Sequence, residues 1–184
     1  MNPSFDLVIR GGTIVSHDGI VLGDVAVKDG RIALVGEVPA GSAATEFPVT
    51  GLHVLPGVID TQVHFREPGL EHKEDLATGT AAAALGGVTA VFEMPNTKPS
   101  TSTTDAIADK VRRATGRAHT DFAFFAGATG DNTASLASLE RLPGCCGIKI
   151  FMGASTGDLL VEDDRRLAEI LRSGSRRVAV HAED

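Results

Sequence analysis

Asp60, Gln62, His64 and Arg66 stand at alternate positions directly after the apolar run that begins at Val54. Side chains two apart on a strand point to the same face, so the spacing predicts that these four converge at the end of a buried strand. Such a row is costly to desolvate. It requires a metal, an anionic substrate or a hydrogen-bond network as its partner.

Two further residues break apolar runs in the same manner. Lys149 lies inside Ile148–Met152; a buried ammonium costs several kcal/mol unless it is paired or its pKa falls until it is neutral. One reading pairs it with a nearby carboxylate. The other has carbon dioxide convert it to an anionic carbamate able to bridge two cations at a strand end. His181 closes the run Val178–Val180, as a satisfied core histidine or as a ligand. Three strands that each deliver one such residue to the same rim favour the ligand reading.

The elements that must hold these residues change character near residue 55. From residue 5 to 55, short apolar runs alternate with Gly11-Gly12, His17-Asp18-Gly19 and Lys28-Asp29-Gly30-Arg31. Asp-Gly between such runs predicts hairpins, hence a small antiparallel β unit over residues 1–54. Beyond it, strands are expected at Val54–Asp60, Val88–Met94, Asp121–Ala126, Gly147–Met152 and Arg177–His181. Helices are expected at Glu74–Leu85, Thr104–Ala114, Thr133–Leu142 and Asp163–Leu171, between Ser/Thr/Asp starts and Gly or Pro stops. This alternation predicts right-handed βαβ units and a parallel sheet over residues 55–184, with function at the C-terminal strand ends.

Composition narrows the chemistry. With 42% hydrophobic residues and a net charge of -7, the chain reads as a soluble globular protein. An acidic balance argues against nucleic acid or an anionic membrane as partner. No apolar run approaches about 18 residues and no leader opens the chain, so a membrane span and secretion are not expected. Cys145 and Cys146 are adjacent and read as packed free thiols in a reducing compartment, most simply the cytoplasm. His17 and His53 have no chelating neighbours in sequence and read as structural, while His72, after Glu71 on a loop, and His119, before a strand, read as surface or structural.

The stretches PGVIDTQVHFREPG, GTAAAALGGVTAVFEMPNT, GIKIFMGASTGDLLVED and VAVHAED together resemble the cyclic amidohydrolases, dihydroorotase most closely, over essentially the whole chain. The resemblance implies a metal-dependent (β/α)8 barrel of TIM type, of which about five strands are present, preceded by part of a small β-sandwich. It implies one or two zinc ions held by His64, carbamylated Lys149 and His181, with Arg66 and Asn96 binding the substrate's carboxylate. The reaction implied is hydrolysis of a ring amide, interconverting dihydroorotate and carbamoyl-aspartate in pyrimidine synthesis. Allantoinase or hydantoinase activity on uncharged rings is the related alternative. A non-catalytic structural subunit, as a homo-oligomer or beside aspartate transcarbamoylase, is the non-enzymatic one.

Two departures bear on these expectations. Gln62 stands where the family has the first histidine of its metal pair, and a neutral amide is a poor zinc ligand beside imidazole. A closed barrel also needs eight strands and about 250 residues, and the family's sixth-strand histidine and catalytic aspartate have no counterpart here. The sequence therefore reads as the N-terminal part of a longer protein, inactive by itself. An open five-strand sheet would expose an edge and apolar surface.

Overall fold

The computed structural model describes residues 4–153 and 157–182. Residues 154–156 and the acidic pair Glu183 and Asp184 lie outside the described residues. The chain forms two compact units that divide between Pro56 and Gly57.

In the first unit, β1 (Phe5–Ser16), β2 (Gly19–Lys28) and β3 (Arg31–Gly36) form an antiparallel meander. The β2–β3 turn is Asp29-Gly30, whose φ angles of 51° and 70° are those of the tight hairpin turn that the sequence pattern predicts. The meander is extended by β4 (Ala43–Pro48) and β5 (His53–Val54), which both pair with β1 in parallel; the sheet is therefore mixed beyond its hairpins. Arg10 ties three strands together, with Asp24 at 2.9 Å and Glu46 at 2.6 Å.

The second unit alternates β6 (Val58–Val63), α1 (Leu76–Leu85), β7 (Val88–Glu93), α2 (Thr104–Ala114), β8 (Asp121–Gly127), α3 (Leu136–Leu139), β9 (Cys145–Phe151), α4 (Asp164–Ser173) and β10 (Val178–His181). Its five strands are parallel, in the order β10-β9-β8-β7-β6. Each strand lies beside its predecessor, which is the winding of a barrel wall and not of a doubly wound sheet. The result is a curled half-barrel, as the alternation predicts.

Local chemistry explains the element ends. Asp75 accepts the N–H groups of Ala77 and Thr78 and so caps α1, Thr103 caps α2 and Asp163 caps α4. Gly79 lets α1 approach the sheet, since a Cβ there would overlap the ring of Phe65. Ile107, Ala126, Leu136, Ile148, Ile150 and Ile170 form the larger apolar core, and Phe65, Leu76, Val91, Ala114 and Phe124 a second one.

Three sequence expectations need correction. The run Val54–Asp60 is not one strand: Val54 belongs to β5, and Pro56-Gly57 interrupts the ladder before β6 begins, because proline lacks the N–H a ladder needs. Nor is β6 buried. Its only strand partner among the described residues is β7, and Val58 and Ile59 are 56% and 57% exposed. The helix expected over Thr133–Leu142 is a turn of 3-10 helix, Thr133–Ser135, followed by the short α3. No helix among the described residues is long and apolar enough to cross a membrane.

Candidate functional site

The C-terminal ends of β6 and β7 are fastened side by side. Met94 donates its N–H to the carbonyl of Val63 at 3.0 Å, and one residue further His64 Nδ1 meets Asn96 Oδ1 at 2.9 Å. With an amide oxygen as acceptor, Nδ1 carries the proton and Nε2 keeps the lone pair that a metal would use. Burial lowers the proton affinity of the half-buried His64, and the charges of Arg66, Lys149 and Lys110 lower it further, opposed by the Asn96 hydrogen bond. These terms favour the neutral imidazole that ligation needs.

The four residues expected on one face do not all share it. The β6–β7 register slips between Asp60 and Val63, which interrupts the alternation, and Asp60 and Gln62 are exposed. Arg66 adopts a left-handed φ of 67°, which turns the chain out of the strand direction. Its guanidinium has no carboxylate partner among the described residues. Glu67 does not pair with it: buried at 3% exposure, Glu67 accepts the N–H of Leu76 at 3.0 Å and pairs with Arg117 at 2.7 Å. Gln62 instead lines a concavity of about 430 Å³ on the inner side of the wall, with Thr61, Phe92, Phe125, Cys146 and Arg177 among its neighbours.

On β9, Lys149 is 2% exposed. Its amine stands 4.9 Å from the centre of the Phe151 ring and forms no ion pair among the described residues, so burial alone lowers its pKa. In the parallel register Ala179 lies beside Lys149 and His181 beside Phe151, which puts Lys149, Phe151 and His181 on one face. The Phe151 and His181 rings are 5.8 Å apart. His64, Lys149 and His181 thus all stand at or near the C-terminal ends of their strands, while Asn96 is engaged by His64. Among the described residues no three His, Cys, Asp or Glu side chains form a metal-binding group. The donor set therefore fits a metal only once Lys149 has become an anion, since an ammonium has no lone pair to give.

Sequence reasoning passed over a second buried lysine. Lys110 of α2 is 0% exposed and Glu93, the last residue of β7, is 1% exposed; Lys110 Nζ lies 2.9 Å from Glu93 Oε2 and donates to the Met94 carbonyl at 3.2 Å. Burial pushes the Glu93 carboxyl up and the Lys110 ammonium down, each opposed by the charge of the other. A signal was present: Ile107, Lys110, Val111 and Ala114 fall on one helical face. Cys146 is pushed up to about 12 by burial, which leaves it a thiol at neutral pH, in line with the packed reading.

Comparison with known proteins agrees with the fold. A model of the dihydro-orotase-like family matches residues 51–142, half of the chain. The chain is similar to the allantoinase of Rubrobacter xylanophilus, 41% identical over 186 residues that take in 98% of this chain and 40% of that protein. It is 43% identical to the allantoinase of Solibacter usitatus over 185 residues, 97% of this chain and 40% of that one. Among solved structures it resembles the L-hydantoinase (dihydropyrimidinase) from Arthrobacter aurescens, with a TM-score of 0.89 and 33% identity over 98% of this chain and 41% of the other. The chain spans about two-fifths of the length of these relatives. With this match and a half-barrel wound in the same way, the chain belongs to the dihydro-orotase-like family of the cyclic amidohydrolase superfamily.

Proposed function

We propose that this chain contributes the first strands of a hydrolase that opens the ring amide of an uncharged cyclic ureide, of the allantoinase and hydantoinase kind. Residues 1–54 are read as its part of the small β-sandwich and residues 55–184 as barrel wall. The observation that carries the reading is Lys149: a buried amine at a strand end, with no anionic partner among the described residues. A depressed pKa leaves more of the amine neutral, the form that attacks carbon dioxide. Carbamylation then exchanges an uncompensated cation for an anion suited to zinc.

His64 would offer Nε2, and His181 and the Lys149 carbamate would complete the donors; Gln62 offers only a neutral amide. A divalent metal there supplies Lewis-acid polarisation of the ring carbonyl and a hydroxide equivalent at neutral pH. No carboxylate among the described residues is placed as the proton shuttle, so the 184-residue chain alone is expected to turn over none of these rings. Homology to allantoinases and hydantoinases supports the uncharged ring over dihydroorotate. A ring bearing a carboxylate is favoured by one feature, the guanidinium of Arg66, which has no carboxylate partner among the described residues.

The test supplies the chain with zinc and 13C-bicarbonate and looks for a lysine carbamate carbon by NMR. A carbamate resonance that is absent in Lys149→Met supports the reading; a spectrum identical in both proteins overturns it. Calorimetric titration separates the substrates: hydantoin and allantoin should bind equally to the native chain and to Arg66→Ala. Binding of dihydroorotate alone, lost in Arg66→Ala, would instead select the acidic ring.

A further inference from the structure

We infer that the buried Lys110–Glu93 pair is a positioning device, which sets Asn96 against His64 and thereby fixes which ring nitrogen of His64 carries the proton. This rests on the reading of His64 as a ligand only for its use; the positioning itself is a property of the chain.

The argument follows the backbone. Glu93 ends β7, Met94 follows it, and Asn96 stands two residues further on. Lys110 reaches back from α2, the helix that this connection leads into, and holds both Glu93 (2.9 Å) and the Met94 carbonyl (3.2 Å). One cation thus closes the connection at its start and at its end. The Met94 N–H, on the other side of the same residue, holds Val63, the neighbour of His64. Met94 is therefore clamped through its carbonyl to α2 and through its N–H to β6, which leaves Asn96 little freedom about the imidazole.

The connection between the clamped points is itself braced. Thr97 and Thr101 both donate their N–H groups to the Pro95 carbonyl at 2.9 Å, and Lys98 donates to Pro68 at 2.9 Å. The hydroxyl of Thr97 donates to the Pro99 carbonyl at 2.8 Å. Asn96 is displayed from this frame toward His64.

Simple structural glue could be apolar at the Lys110 position. The neighbours are apolar already: Phe124, whose ring lies 5.2 Å from the amine, is fully buried and Ile107, one turn earlier on α2, is 1% exposed. A buried ion pair is weak support for stability and is retained where a fixed register is needed. Here both carboxylate oxygens of Glu93 are buried and neither has a hydrogen bond of good geometry among the described residues, so the contact with Lys110 is a charge pair by distance and carries a cost that a pair kept only for stability would not.

The experiment uses the 184-residue chain labelled with 15N in its histidines, read by long-range 1H–15N correlation above the pH at which the imidazoles titrate. The native chain should show His64 protonated at Nδ1, and Asn96→Ala should lose that pattern for the ordinary mixture of tautomers. The decisive variant is Lys110→Met with Glu93→Leu, which removes both charges together and leaves none unpaired. Expected is a folded protein with native amide spectra away from the site and the same loss at His64. Retention of the native pattern in this double variant overturns the proposal, as does a native His64 protonated at Nε2. Should the double variant fail to fold, Glu93→Gln gives the same reading. The 13C-carbamate signal of Lys149 is followed in the same samples. Its absence would strike the proposed hydrolase function and leave the imidazole result standing.

Discussion

Lys110 and Lys149 are two buried lysines in one half-barrel, each with its amine near a phenylalanine ring, at 5.2 Å from Phe124 and 4.9 Å from Phe151. Lys110 has Glu93 within 2.9 Å. Lys149 has no carboxylate partner among the described residues, and nothing but burial acts on its pKa. A buried cation with its anion in place is a completed piece of structure. A buried amine without one is in surroundings that favour loss of its charge, which is the condition for chemistry at nitrogen. On the proposed reading the same residue type serves architecture on α2 and reactivity at the end of β9, and the neighbouring carboxylate makes the difference.

The comparison can be broken by substitution. Lys110→Met leaves Glu93 buried and unpaired, and should cost about 3–5 kcal/mol in denaturant unfolding. Lys110→Met combined with Glu93→Leu should recover most of that loss, to within about 1.5 kcal/mol of the native chain, because no charge is orphaned. Lys149→Met orphans nothing, and should change stability by less than about 1 kcal/mol, in the stabilising direction. A loss for Lys149→Met as large as that for Lys110→Met would mean that Lys149 has an anion after all.

The smallest effect is in the pH dependence and sharpens the same point. Burial holds the Lys149 pKa below its ordinary 10.5, so the folded chain binds its proton less tightly than the unfolded chain does. The destabilisation is then fully present below the folded pKa and is relieved as pH rises toward 10.5. The stability advantage of Lys149→Met over the native chain should accordingly shrink with rising pH, measured by unfolding without bicarbonate. An advantage that grows instead would reverse the assigned sign.

Lys149 was legible because it interrupts a strand apolar on both faces, where any charge is conspicuous. Lys110 was not, because Asp109, Arg112 and Arg113 surround it in sequence and make α2 look like a solvated surface. Only its spacing from Ile107, Val111 and Ala114 marks the buried face. The strand–helix rhythm beyond residue 55 was readable from Gly, Pro and cap residues, and the helix bounds of α2 follow it closely. The first barrel strand was misread because hydrophobicity runs unbroken through Val54–Ile59 while the backbone does not; Pro56-Gly57 counts for more than the side chains around it. The convergence expected of Asp60, Gln62, His64 and Arg66 assumed an ideal pleat. A register slip and a left-handed Arg66 lie below what period-two reasoning resolves.

The order of the half-barrel strands also bears on how this unit is made. Every strand after β6 pairs with the strand formed just before it, so each pairing closes only the short loop of a single helix and its turns. Such short-range closure has a small entropic cost. During synthesis, each new strand can therefore zip onto an edge that already exists, with assembly running in the direction of translation.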